Sequence, residues 1–188
     1  MSSRKPFEHP AAWYSADIRS KDDFVVHLGP RHVESLLVAV RQVKATGVDR
    51  DSMRVEQFAL ERIGDDVAAW RDEVWRGRGM LLLRGFPVNE LSIEDVELAY
   101  IGLGLHFGRP VSQSNMGDLV GHVIDIGGKD NRERAYRNSR ELHLHTDRCD
   151  HVGMLCLQTA MAGGVSGFAS ALTVHNEILS SHPDLLDP

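Results

Sequence analysis

The chain predicts an α+β fold, helices first and strands after, on three observations. Apolar residues recur at helical three-and-four spacing between Pro30 and Leu103. Beyond Pro110 the texture changes to short β-type runs broken by glycine. The two kinds of element do not alternate as a doubly wound parallel sheet requires. Nor does a glycine-rich phosphate loop open a helix, since Gly77-Arg78-Gly79 precedes a strand.

The elements follow in order. Residues 1–29 are rich in turn formers, with Trp13, Tyr14, Phe24 and Val25-Val26 as packing points, and predict an arm or short strand lying across the body. Gly29-Pro30 opens a first helix, proline being suited to the first turn. Val33, Leu36, Leu37, Val40 and Val43 form its apolar face, and Gly47 stops it. A second helix is expected from about Gln57 to Arg76, packing Ile63, Val67, Trp70 and Val74 into a core. Met80 to Leu83 reads as a fully buried strand ending in the turn Arg84-Gly85-Phe86-Pro87. Ser92 and Asp95 predict a capping box for a third helix carrying Val96, Ala99, Tyr100 and Leu103, which gives out between Gly104 and Gly108.

The second half predicts a strand over Val120 to Ile126, an exposed polar loop over 129–140, and a buried strand from Val152 to Leu157. Gly163-Gly164 turns into a short strand near Phe168 to Leu172, and a last helix runs from about Val174 to Ser181, before Pro183. There is no internal repeat and no low-complexity segment.

Composition bounds the function. The 188 residues suit one domain over 1–188, and 42% hydrophobic with 26% charged residues describe a globular protein. A net charge of −6 without blocks of like charge argues against nucleic acid or an anionic membrane as partner. Two cysteines, Cys149 and Cys156, are too few for a disulfide framework and fit a reducing cytoplasm, the expected location. The N-terminus lacks the apolar core of a signal peptide, and no run approaches the roughly 20 apolar residues of a membrane span.

One stretch concentrates the chemistry. From Glu141 to His151 it holds His143, His145, Asp147, Cys149, Asp150 and His151. On an extended strand, side chains two apart share a face, so His143, His145 and Asp147 can converge on one metal ion. Two imidazoles and a carboxylate with open positions suit non-haem Fe(II) and O₂. Catalytic zinc takes three protein ligands and water, so a zinc hydrolase on the same trio stands as an alternative. The stretch also matches the start of a His-x-His-x-Asp-His dinuclear zinc pattern, with Arg148 where a third histidine is required.

Taken together, Met80-Leu81-Leu82-Leu83-Arg84-Gly85-Phe86, His106-Phe107-Gly108-Arg109-Pro110, Leu144-His145-Thr146-Asp147, Gly163-Gly164-Val165-Ser166 and Val174-His175-Asn176-Glu177 resemble the TauD/TfdA-like family. The resemblance implies a double-stranded β-helix, or jelly roll, following the N-terminal helices. It implies Fe(II) and 2-oxoglutarate as cofactors, with O₂ and a small organic molecule as co-substrates. His145 and Asp147 would be two iron ligands, and Ser166 would place a hydroxyl on the 2-oxoglutarate carboxylate. His143 becomes a pocket wall, with His151 either pocket or core. Asn138, beside Arg134 and Arg137 in the polar loop, is a candidate for contact with substrate. Arg84 and His106 to Pro110 read as structural turns.

The resemblance also implies a third iron ligand and a 2-oxoglutarate-binding arginine that this chain does not contain, His175 and His182 not matching that motif. An N-terminal portion of a longer dioxygenase is therefore expected. The alternative is a catalytically incompetent interaction module with an exposed half-core, prone to form homo-oligomers.

Overall fold

The computed structural model describes residues 4–123 and 143–186. Its order is β1 (Val25–His27), α1 (Pro30–Thr46), α2 (Gly64–Arg76), β2 (Leu82–Arg84), α3 (Ile93–Leu105) and α4 (Ala171–Ser181), with short 3₁₀ turns between them. Among the described residues no helix is long and apolar enough to cross a membrane.

α1 starts and stops where its sequence says it should. Pro30 takes the first helical position and Gly47 ends the helix in the left-handed region, at φ 67°. The His32 ring reaches back to accept the Gly29 N–H through Nδ1 at 3.0 Å. That contact leaves the proton on Nε2, which faces the Asp66 carboxylate at 3.2 Å. Arg31 meets the same carboxylate at 2.6 Å, so one acid clips α1 to α2.

The second helix is shorter than its periodicity predicts. Residues 50–63 form three separate 3₁₀ turns, Arg50–Ser52, Val55–Gln57 and Glu61–Ile63, before α2 begins at Gly64. The reason is burial. Phe58 and Leu60 are both in the core, yet residues two apart lie on opposite sides of a helix. Breaking the helix lets both side chains point inward. Ile63, Val67 and Trp70 then follow on the apolar face as expected.

The core is helical. Leu36, Val40 and Val43 of α1 meet Phe58, Ile63, Val67 and Trp70, and α3 closes it with Leu98, Ala99, Ile101 and Leu103. Gly102 is the close approach: a Cβ there would stand 2.3 Å from the Phe58 ring. Ser92 caps α3 by accepting the Asp95 N–H at 3.3 Å, one half of the predicted capping box. At the other end, His106 Nε2 bonds the Phe58 carbonyl at 2.8 Å, so the His106 turn ties α3 to the core.

β1 and β2 form a two-stranded parallel sheet, Val25 opposite Leu82 and His27 opposite Arg84. The predicted N-terminal strand is therefore present. β2, however, is not fully buried. It alternates, with Leu83 packed against the core and Leu82 41% exposed. A two-stranded sheet backed by helices on one side leaves its other face in water.

The strand-rich second half is not formed among the described residues. Val152 to Leu157 is irregular and mostly exposed, and Phe168 is 72% exposed. Ala171 and Leu172, expected in a strand, belong to the first turn of α4, because Ser170 caps it by accepting the Thr173 N–H at 3.0 Å. A strand exists only through ladder bonds to a neighbour. Among the described residues, no backbone bond joins 143–169 to another segment. Of the Val120 to Ile126 strand, residues 120–123 are irregular and the rest lie outside the described residues, as does the 129–140 loop with Arg134, Arg137 and Asn138.

Candidate functional site

Gly163 and Gly164 both take the left-handed region, at φ 76° and 67°, a backbone conformation that glycine allows. His143, His145, Asp147 and Ser166 are all exposed. His143, His145 and Asp147 do not assemble into a three-ligand cluster. Among the described residues no three His, Cys, Asp or Glu side chains come together to hold a metal. The expected convergence presupposes a strand, and without a ladder residues 143–147 lack the alternation that would put their side chains on one face. Asn138 lies outside the described residues.

One feature of a ligand is nevertheless present. His145 Nδ1 lies 2.7 Å from the His143 carbonyl oxygen. A carbonyl only accepts, so Nδ1 carries a proton, and in the neutral ring Nε2 is then the nitrogen with the lone pair. Metal-bound histidines are held in this way, the far nitrogen donating to a carbonyl or carboxylate. His143 acts through its backbone, and its ring stays exposed. Beside it, Asp147 offers an exposed carboxylate. Imidazole nitrogen with carboxylate oxygen is a donor pair that non-haem iron accepts. These two residues fit part of an iron site.

The body holds this segment just beyond the candidate ligands. Tyr100 of α3 donates its hydroxyl to the Gly153 carbonyl at 2.6 Å. Trp75 of α2 lies against the His151 ring, centroids 5.1 Å apart, and donates Nε1–H to the Phe107 carbonyl at 3.1 Å. The sequence places Tyr100 on the apolar face of its helix and gives no signal for Trp75, because hydrogen bonds spanning 53 and 32 residues and a ring contact to His151 have no local signature.

A second anchor holds the far end. Ser170 donates to the Ala11 carbonyl and Thr173 to the Trp13 carbonyl, the latter at 2.8 Å. Ser166, four residues before Ser170, leads into this fixed point.

A cavity of about 230 Å³, lined by Arg50, Glu97, Gln113, Ser114, Asp118 and His122 among others, contains none of the candidate ligands. There Glu97 pairs with both Arg50 and His122, the latter at 2.9 Å. The carboxylate pins the 111–123 segment to α3.

A family model for the taurine catabolism dioxygenase TauD, TfdA family matches residues 40–188, and the chain belongs to that family. It is 29% identical over 186 residues to FR-33289 synthase of Streptomyces rubellomurinus (strain ATCC 31215). That match covers 97% of this chain and 55% of the relative, so the chain spans about half the relative's length.

Proposed function

We propose that this chain supplies two metal ligands and one cofactor contact of an Fe(II)- and 2-oxoglutarate-dependent dioxygenase with a jelly-roll catalytic fold. Family membership supports the class, and the observation that carries the site is the His145 Nδ1 contact to the His143 carbonyl. In this reading His145 binds through Nε2 and Asp147 through a carboxylate oxygen. Ser166 donates its hydroxyl to a carboxylate of 2-oxoglutarate, and His143 and Asn138 border the pocket of a small organic substrate. When bound, iron and 2-oxoglutarate supply O₂-dependent oxidative decarboxylation to succinate and CO₂, coupled to hydroxylation of a substrate C–H bond. The chain's own part is to fix the His145 tautomer and to present His145 and Asp147 on one short segment.

The test is succinate formation from 2-oxoglutarate with Fe(II) and ascorbate, in the protein as it exists and in its Asp147→Ala and His145→Ala variants. Both substitutions should abolish turnover. Undiminished succinate from Asp147→Ala would sink the assignment, and zinc rather than iron in the purified protein would favour a hydrolase.

A second reading is favoured by one observation. Leu144, Met154, Met161, Val165 and Phe168 all stand in solvent on the segment that carries the candidate ligands. In this reading the chain is an interaction module without turnover, forming homo-oligomers through those side chains. Light scattering showing a monomer would rule it out.

A further inference from the structure

We propose that Tyr100 and Trp75 are positioning residues, which hold the segment bearing His145 and Asp147 against α2 and α3. The inference rests on the reading of His145 and Asp147 as metal ligands. Without a ladder, residues 143–169 have no backbone support of their own among the described residues. Their orientation is therefore set by side chains reaching out from the helical body. Two do so within six residues of Asp147: Trp75 against the ring of His151 and Tyr100 on the carbonyl of Gly153.

The geometry is specific at both points. Burial pushes the Tyr100 phenol above its ordinary range, so the hydroxyl stays protonated as a donor. Gly153 leaves room for the approach, since a Cβ there would lie 3.1 Å from the Tyr100 hydroxyl, closer than ordinary van der Waals contact. The Trp75 indole is fixed in turn by the Phe107 carbonyl, which leaves its ring face set against His151. Both tethers start from packed helices: Trp70 and Val67 bury α2, while Ala99 and Ile101 flank Tyr100 in the core. Rigid elements thus hold a segment that cannot hold itself.

Cys149 reports on this directly. It lies between Asp147 and His151, is half-buried, and becomes the sole thiol in a Cys156→Ser background. Tyr100→Phe keeps the ring and removes only the donor. In that background it should raise the rate of Cys149 reaction with an aromatic disulfide by about fivefold, the population shift that loss of one hydrogen bond allows. Trp75→Phe should act in the same direction.

The second readout is Mn(II) binding, followed through the signal of the free ion, an oxygen-preferring metal that discriminates against the thiol. The starting protein should bind, His145→Ala should not, and Tyr100→Phe should bind about fivefold more weakly while its helical circular dichroism is unchanged. An unaltered Cys149 rate in both variants overturns the anchor. Unaltered Mn(II) affinity in Tyr100→Phe, with binding still dependent on His145, overturns the positioning role while the ligand reading stands. Mn(II) binding that ignores His145 overturns the ligand reading and the positioning role with it.

Discussion

Asn176 of α4 holds the backbone of Phe7 by both of its polar groups: it accepts from the Phe7 N–H at 2.8 Å and donates to the Phe7 carbonyl at 2.9 Å. The side-chain amide pairs with the arm as a neighbouring strand would. The Phe7 ring sits edge-on to His175 at 4.7 Å, and Tyr14 donates to Glu177 at 2.5 Å. Residues 7–14 thus strap α4 to the body across more than 160 positions of sequence. All of that strap precedes the region matched to the family, which begins at residue 40.

Replacing Asn176 by alanine removes both bonds at once and frees the arm. The expected cost is about 1 kcal/mol, since the bonds are solvent-accessible and neutral. Urea denaturation should register it, and limited proteolysis should cut the first fourteen residues sooner.

The Tyr14–Glu177 contact makes part of this docking depend on pH. The hydrogen bond to Glu177, then desolvation and the carboxylate's charge, raise the Tyr14 phenol above its ordinary value. A raised folded-state pKa contributes stability that is fully present below the unfolded value and is lost as pH rises through the folded one. Stability should therefore decline above about pH 10, and Tyr14→Phe should lose this component. Denaturation midpoints measured from about pH 8 to about pH 11 will show whether the two curves differ in slope.

Gly102→Ala tests the core. The added methyl would meet the Phe58 ring at 2.3 Å, and Phe58 is 0% exposed with no room to retreat. A loss of about 1–3 kcal/mol is expected, as for other overpacked cores. Pairing it with Phe58→Leu should recover part of the loss, read as a partial return of the melting temperature.

Ser166 separates hydroxyl from methyl. If its hydroxyl meets the 2-oxoglutarate carboxylate, Ser166→Ala should raise the KM for 2-oxoglutarate about tenfold or more, the usual worth of a bond to a charged acceptor. Ser166→Thr should leave it near the starting value. Equal values in all three proteins would remove Ser166 from the cofactor site.

Local signals survive folding where they are self-contained. Pro30 and Gly47 bound α1 as read, Ser92 caps α3, and Gly163-Gly164 takes the left-handed conformation. Each depends on residues within one or two turns. The second helix was overextended because Gln57 to Ile63 carries helical periodicity, while the core demands that Phe58 and Leu60 both turn inward. The β-type runs after Pro110 form no strand among the described residues, for the opposite reason. Apolar β-prone residues state a preference, but a strand requires a second backbone to pair with.

The candidate site divides along the same line. Donor chemistry is a property of residue type, so His145, Asp147 and Ser166 can be read from the order of the chain and its family resemblance alone. The His145 tautomer depends on where the His143 carbonyl points, and the anchoring of the segment on Tyr100 and Trp75, with α4 strapped by Asn176 to Phe7. The tautomer contact is local, but the Tyr100, Trp75 and Asn176 contacts join residues far apart in sequence, selected by which surfaces the helical core leaves adjacent once its apolar faces are buried. Sequence names the groups; packing decides which of them meet.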